Sequence, residues 1–271
     1  MELPIANHGS NRSADVLVRA AKRSGVIVSR ALAEETSLPG ATAFTNAERP
    51  QVAPANCVFD LTVPNGSTAK TVIDDVTVHF QERGVPCHVL HAASQQWPED
   101  LCHLLSDLEY RRATDDLLLL EQYEPPKHLH AELQIIPIRA AYMEARRIYQ
   151  LQAMAEKNAD EATARHLADA QVDRLDESRL EVFLGRLRNH PVGVAGVMTL
   201  GNIGVIDPVF TDPEQRGSGI GHRLMAHVLD HCHRALFESV IVQRPDGCWS
   251  IPFYESLGFK RLAAFDSFVR E

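Results

Sequence analysis

The segment 209–223, VFTDPEQRGSGIGHR, constrains the fold of this chain more than any other. Its apolar residues predict a strand that ends at Thr211, and the Asp-Pro pair after it predicts a turn. A glycine-rich run from Arg216 to Gly221 comes next, and a helix is predicted after it. The apolar stripe of this helix comprises Leu224, Met225, Val228, Leu229, Cys232 and Leu236. A strand, a glycine-rich turn and a helix are therefore expected in direct succession.

This succession is typical of an anion-binding site. The first turn of a helix carries unpaired N–H groups and a partial positive charge, and glycines let the backbone approach a phosphate closely. Arg216 and Arg223 add positive charge, so the segment predicts a pyrophosphate-binding turn. No lysine follows the glycines as a Walker motif requires, and a dinucleotide motif started at Gly217 needs glycine where His222 stands. A nucleotide or dinucleotide enzyme is therefore disfavoured.

Composition and charge narrow the class of protein. The 271 residues carry a formal net charge of -9, which argues against a nucleic-acid partner, because such proteins need a basic face. The five cysteines form no C-x-x-C pair, so neither a disulfide framework nor a zinc site is expected. The first residues lack the order of a signal peptide, and the longest uncharged stretch, 191–206, is too short to span a membrane. We expect a cytoplasmic protein with no membrane partner.

The chain is predicted to divide at Pro125-Pro126 into domains 1–126 and 127–271, because two prolines break both helix and sheet. The N-terminal half has an α/β pattern without a glycine-rich loop. Its predicted helices are 14–30, 68–83 and 98–110, and its predicted strands are 57–63, 86–91 and 115–123. Val58, Asp60 and Thr62 are expected on one face of their strand, and 38–54 is expected to be a loop.

The C-terminal half predicts a different order of elements. Strands are expected at 134–138, 180–187, 192–200, 203–210, 239–242 and from Phe259 onward. Helices are expected at 139–155, at 159–175, after the glycine-rich turn and around Phe253. The three strands between 180 and 210 follow one another with short connections, so they are predicted to pair antiparallel.

Two motifs of this half together resemble one family. Residues 216–221, RGSGIG, match R/Q-x-x-G-x-G/A, the acetyl-CoA motif of the GNAT N-acetyltransferase superfamily. Residues 253–259, FYESLGF, look like its later LYxxxGF signature, and 134–139 look like its first strand. The resemblance covers residues 132–270 and implies an α+β fold whose mostly antiparallel sheet is flanked by helices. Residues 56–110 look like the degenerate GNAT-like half of two-part members, which implies an N-terminal half that does not bind acetyl-CoA.

The resemblance implies roles for the residues that match these motifs. The backbone of Val209, Phe210 and Thr211 would contact the pantetheine arm of acetyl-CoA, and Pro208 favours the interrupted ladder that such a strand needs. Tyr254 would be the general acid that protonates the departing thiolate. The residues that would hold the pyrophosphate are Arg216, Gly217, Ser218, Gly219, Ile220 and Gly221.

Each of these roles has a plainer alternative. Residues 209–211 also fit an ordinary edge strand, 216–221 a simple helix start, and Tyr254 a residue that only packs. The general base is left open among Asp207, Glu181, His190 and water. An asparagine that often precedes the family tyrosine is missing, and Ser250 stands nearby. His227 and His231 are four residues apart on a helix, but a solvated face explains them better than a metal site, and no metal is expected.

The leading hypothesis is an N-acetyltransferase that moves the acetyl group of acetyl-CoA to a primary amine by direct attack. The acceptor, a small molecule or a peptide amine, is not specified by the sequence, and neither is the oligomeric state, for which a homodimer is one option. The alternative is a non-catalytic acyl-CoA-binding sensor or scaffold, which the missing asparagine and the lack of an obvious base favour.

Overall fold

The computed structural model describes residues 13–94, 96–123, 130 and 132–270. The chain forms two compact units. Unit 1 contains the residues up to Ser24 together with Asp116–Ala263, and unit 2 contains Gly25–Asp115 together with the residues from Ala264. The Pro125-Pro126 boundary lies outside the described residues, so the division into 1–126 and 127–271 stays a prediction.

Both halves of the chain contain helices as well as strands. Those of the first half are α1 (Ala14–Leu32), α2 (Ala69–Glu82) and α3 (Glu99–Asp107). Those of the second half are α4 (Tyr142–Lys157), α5 (Glu161–Asp173), α6 (Ile220–Arg234) and α7 (Ile251–Glu255). Prediction placed every one of these helices, but α3 ends before the predicted residue 110, because Leu108 turns outward and Glu109 takes a positive φ of 65°.

The strands of unit 2 form a small sheet in the order β1-β2-β3-β4-β11. They are β1 (Glu34–Leu38), β2 (Ala41–Thr45), β3 (Cys57–Leu61), β4 (Val89–Ala92) and the end of β11 (Phe259–Val269). Their apolar side chains pack with those of α2 and α3, among them Val72, Phe80, Leu101 and Leu105. Unit 2 therefore has a hydrophobic core of its own.

Two expectations for this unit were wrong. The predicted loop 38–54 instead contains the turn and the second strand of a β-hairpin, in which β1 pairs antiparallel with β2 across Pro39 and Gly40. Gly40 has a φ of +81°, which only glycine adopts readily, and Pro39 restricts its own φ, so the pair makes a tight turn. Val58 and Asp60 do not share a face: Val58 is buried and Asp60 is exposed, because the strand is irregular there and Asp60 has a positive φ of 55°.

The strands of unit 1 have the order β11-β5-β10-β9-β8-β7-β6. They are β5 (Arg111–Leu120), β6 (Gln134–Pro137), β7 (Leu180–Leu187), β8 (His190–Leu200), β9 (Ile203–Thr211) and β10 (Ser239–Pro245). The pairs from β6 to β9 are antiparallel and β9 pairs parallel with β10, so the expected mixed, mostly antiparallel sheet is confirmed. Residues 192–198 of β8 are buried without interruption, and both α4 and α6 contact this strand. Helices therefore cover the centre of the sheet.

Candidate active site

The site begins where strands β9 and β10 separate. Their parallel pairs run from Ser239 opposite Ile203 to Val242 opposite Ile206, after which β9 continues to Thr211 and β10 to Pro245. On its other side β9 bulges, because Asp207 and Pro208 together lie opposite Gly196 of β8. Proline has no N–H to donate to a ladder, as the sequence indicated. The end of β9 therefore has one backbone edge that β10 does not cover.

A cavity of about 830 Å³ opens at this separation. This volume lies within the usual range for small-molecule sites. Its walls come from the ends of β9 and β10, from the start of α6, from α7 and its preceding loop, and from α4 and α5. Eight of the predicted cofactor-binding residues line it: Val209, Phe210, Thr211, Arg216, Gly217, Ser218, Gly219 and Gly221. Tyr254 also lines it.

The glycine-rich turn lies at one end of this cavity. Gly217 and Gly219 have φ angles of +80° and +88°, and α6 starts directly afterwards at Ile220. The first N–H groups of α6 have no acceptor within the helix, so they are available to a ligand. The side chain of Ile220 is 1% exposed and packs in the core, so only its backbone amide belongs to the turn. The turn thus combines positive-φ glycines with a helix start, as is typical of anion sites.

Arg216 is held over the cavity by several contacts. Its guanidinium carbon lies 4.5 Å from the centre of the Trp249 ring and 5.9 Å from that of Phe210. Its Nε donates to the Thr211 carbonyl at 3.2 Å, and Nη2 lies 3.9 Å from a carboxylate oxygen of Glu156. Of the two arginines expected near the phosphate turn, Arg216 therefore lies in the cavity wall, whereas Arg223 does not line the cavity.

Tyr254 is buried among aromatic side chains, and its hydroxyl oxygen accepts hydrogen bonds from Arg244. The residue is 1% exposed, and its ring contacts Phe253 and Phe259 edge to face. Arg244 donates to the phenolic oxygen from Nε at 3.1 Å and also from Nη2. Burial raises the pKa of Tyr254, while the positive charge of Arg244 opposes that rise. The phenol is therefore protonated at neutral pH, which is the state of a proton donor.

The three candidate bases differ in their surroundings. Asp207 lines the cavity, but its carboxylate forms an ion pair with Arg174, whose side chain is only 7% exposed. Glu181 forms an ion pair with Arg139 at 3.2 Å and does not line the cavity. His190 starts β8 with an exposed side chain, away from the cavity lining. Asp207 is thus the one candidate that the fold brings to the cavity, and it is already neutralised by a partner.

The loop before α7 supplies polar groups where the family asparagine is missing. Cys248, Trp249 and Ser250 all line the cavity. The Ser250 hydroxyl lies 3.3 Å from the Cys248 sulfur, and the thiol is free. Ser250 is therefore positioned to contact a ligand, which the sequence left open.

The expectation of a solvated histidine face on α6 was wrong. His227 and His231 pack edge to face on Phe183, with ring centres 4.5 Å and 5.6 Å from it, and both are half-buried. Burial lowers the pKa of His227. Among the residues that the structure describes, no group of three or more His, Cys, Asp or Glu side chains is arranged to hold a metal ion.

Sequence reasoning missed several residues of the cavity. Arg244 comes from β10, Gln152 and Glu156 from α4, and Gln171 from α5. These residues belong to no motif, and they reach the cavity only because separate elements meet there. The spacing of Gln152 and Glu156, one helical turn apart, was the only available signal that they share a face.

The comparisons with known proteins agree with this geometry. The model of the acetyltransferase (GNAT) family matches residues 143–259, which include the glycine-rich turn and the tyrosine. The chain therefore contains a domain of the GNAT superfamily. No curated protein sequence matches it significantly.

Solved structures of GNAT proteins share its fold. A GCN5-related N-acetyltransferase from Kribbella flavida is 13% identical, with a TM-score of 0.63 over 95% of both chains. One from Sphaerobacter thermophilus is 18% identical, with a TM-score of 0.57 over 86% of this chain and 76% of that one. A tandem GNAT protein from the clavulanic acid biosynthesis pathway is 15% identical, with a TM-score of 0.51 over 79% of this chain and 75% of that one. The two-part architecture is therefore found in other GNAT proteins.

These findings show the GNAT fold and support an acyltransferase. In the described part of the chain, no helix combines the length and the apolar character needed to cross a membrane.

Proposed function

We propose that the protein is an acetyl-CoA-dependent N-acetyltransferase that acetylates a primary amine by direct attack. One observation carries the proposal: a single cavity joins the glycine-rich start of α6 to the buried hydroxyl of Tyr254. Acetyl-CoA has a pyrophosphate and a thioester at the two ends of its pantetheine arm. The uncovered edge of β9 lies along the same cavity, where an extended arm needs hydrogen-bond partners.

In this proposal, different residues of the cavity bind the cofactor, polarise the carbonyl and protonate the thiolate. The first amides of α6 and the guanidinium of Arg216 bind the pyrophosphate. Backbone groups of Val209, Phe210 and Thr211 bind the arm, and a backbone N–H at this edge polarises the acetyl carbonyl. Tyr254 protonates the thiolate as the carbon–sulfur bond breaks.

The acceptor side of the cavity is formed by α4 and α5. Gln152 and Gln171 line it together with Asp207, while Glu156 lies beside the phosphate turn, 3.9 Å from Arg216. Hydrogen-bond acceptors and carboxylates of this kind suit an alkylammonium group of a small molecule or a peptide. Since Asp207 is paired with Arg174, we propose that the ammonium proton leaves to water at the open mouth of the cavity. The five free cysteines suit a reducing compartment such as the cytoplasm.

Binding and turnover test the proposal separately. Calorimetry with acetyl-CoA and CoA should give saturable binding, and mass spectrometry of the purified protein should detect bound CoA. A panel of polyamines, aminoglycosides, amino acids and peptides should then contain an amine whose acetylation releases CoA. Absence of binding at millimolar acetyl-CoA would contradict the proposal.

The second candidate is an acyl-CoA sensor or scaffold without catalysis. The ion pair of Asp207 with Arg174 favours it, because it leaves the cavity without a free carboxylate base on β9. The sensor predicts acetyl-CoA binding with no CoA release above the rate of the protein-free reaction. Acetyl transfer to any amine of the panel would exclude it.

A further inference from the structure

Arg244 and Tyr254 form a contact that no sequence motif of this chain predicts. Arg244 lies on β10, two residues beyond the last pair with β9, so its side chain enters the space where the strands separate. Its guanidinium carbon lies 4.9 Å from the centre of the Tyr254 ring, and both Nε and Nη2 donate to the phenolic oxygen. The remaining donor contact, from Nη1, goes to the Gln243 carbonyl at 3.2 Å.

The direction of these hydrogen bonds has a chemical consequence. A guanidinium has five donors and no acceptor, so the phenolic oxygen must accept from it. Two donors use the lone pairs of that oxygen, and the phenolic hydrogen cannot point at the arginine. The phenolic hydrogen therefore points away from Arg244, and both side chains line the cavity.

We propose that Arg244 is a positioning residue for acyl transfer, which holds the hydroxyl of Tyr254 with its proton facing the thioester and stabilises the phenolate that forms. The inference rests on the proposed function. In the step, the amine nitrogen bonds to the acetyl carbon and the carbon–sulfur bond breaks. The alkylammonium gives one proton to water before the attack, and the nitrogen gives a second proton to water as the amide forms. The electron pair of the carbon–sulfur bond stays on sulfur, which takes the proton of Tyr254. Solvent then returns a proton to the phenolate, so the sum is amine plus thioester giving amide plus thiol.

The charges around the pair favour this role. Besides Arg244, the titratable groups that act on Tyr254 are Asp207 and Cys248. Asp207 is paired with Arg174, and Arg216, the other arginine of the cavity lining, faces Glu156. Arg244 instead donates hydrogen bonds to a neutral phenol and a carbonyl, and Asp207 and Cys248 also act on its charge. Its guanidinium directly faces the oxygen on which a phenolate charge would form. Burial raises the pKa of Tyr254, and Arg244 works against this rise.

A double-mutant cycle on kcat tests the coupling. We expect Arg244→Gln to lower kcat at least about tenfold with little change in the KM of acetyl-CoA, because the loss concerns proton transfer. In a Tyr254→Phe background the same substitution should lower kcat less than about twofold. Arg244→Lys keeps the charge without the two-donor contact and should restore part of the activity. Arg234→Gln, on the exposed end of α6, is the matched control.

Tyrosine NMR gives a readout that does not depend on the acceptor. With tyrosine labelled at Cζ, the signal that Tyr254→Phe removes is assigned, and it should titrate at a higher pH in Arg244→Gln than in the wild type. Equal losses of kcat in both backgrounds, or an unchanged titration of Tyr254, would overturn the inference and leave the acetyltransferase proposal standing. A wild type that binds acetyl-CoA but acetylates no amine contradicts the proposed function, and the role of Arg244 in acyl transfer falls with it.

Discussion

At the scale of single residues, the cavity depends on charges that are neutralised in pairs. Arg174 is 5% exposed, and its guanidinium is held by Asp207 and by Gln171 at 2.6 Å. A buried guanidinium cannot give up its proton, so its environment must supply the opposite charge. Asp207, in the bulge of β9, therefore supplies the counter-charge for Arg174, which follows α5.

Asp207→Ala should destabilise unit 1 by about 1–3 kcal/mol, because it leaves Arg174 buried without its counter-charge. This loss of stability is small for a broken buried ion pair, because the Asp207 side chain is 43% exposed and water can replace part of the contact. Urea denaturation measures the change in the free energy of unfolding. Adding Arg174→Met should recover part of the loss. Glu161→Ala, which breaks an exposed pair with Arg165, should cost about 0.5 kcal/mol or less; an equal cost for both pairs would contradict the argument.

At the scale of elements, the turn before α6 and the turn after α7 both need glycine, for different reasons. A Cβ on Gly217 would meet nothing within 4 Å, so only the positive φ calls for glycine there. A Cβ on Gly258 would lie 1.6 Å from the Gln122 carbonyl oxygen. Gly258 has a φ of +91°, and β11 starts directly after it at Phe259, as the sequence predicted for this strand.

Gly258→Ala should therefore destabilise the protein by about 3 kcal/mol. The alanine must adopt a strained positive φ, and the backbone carbonyl of Gln122 must also move to make room for its Cβ. The matched control is Gly201→Ala in the β8–β9 turn, where φ is +64° and a Cβ meets nothing within 4 Å. That change should cost only about 1 kcal/mol. Thermal and urea unfolding of the two variants provide the comparison, and equal losses would show that the close approach to Gln122 is not tight.

Arg216, in the turn before α6, is predicted to contribute to binding only for ligands that carry a pyrophosphate. Arg216→Ala should weaken CoA binding roughly tenfold, because it removes a charge-assisted contact with the pyrophosphate. The same change should leave the weaker binding of pantetheine nearly unaltered, since pantetheine has no pyrophosphate. Calorimetry with both ligands measures the two effects. A loss of the same size for pantetheine would assign Arg216 to the arm or to the fold instead.

At the scale of the whole molecule, each unit carries buried thiols that report on its folding. Cys57 and Cys87 belong to unit 2 and Cys232 to unit 1. Burial raises the pKa of each of these thiols to about 12. Cys102 and Cys248 are only half-buried.

In the native protein we expect Cys102 and Cys248 to react with a thiol reagent at neutral pH, and Cys57, Cys87 and Cys232 to be protected. A protonated, buried thiol is neither nucleophilic nor accessible. Mass spectrometry of peptides labelled at increasing urea should show the protected three becoming reactive on unfolding. Rapid native labelling of any of the three would contradict the packing of its unit.

The sequence by itself determined those parts of the site that lie within one stretch of chain. The strand, the glycine-rich turn and the start of α6 follow from local rules, because glycine conformation, helix periodicity and the missing N–H of proline act over a few residues. The family signature around Tyr254 and the order of elements in the second half were predictable for the same reason. The hairpin of β1 and β2 was within reach of the same rules, since a Pro-Gly pair between two strand-like runs signals a turn.

Only the tertiary structure decided which distant residues complete the cavity. Arg244 reaches Tyr254 because two parallel strands separate beyond Val242. Arg174 neutralises Asp207 across 33 positions of sequence, and His227 packs on Phe183 from another element. Contacts of this kind depend on how helices and strands stack, and the burial they produce sets the protonation of the side chains. A single sequence contains no local signal for either, so Tyr254 was predictable as a residue of the site and its contact with Arg244 was not.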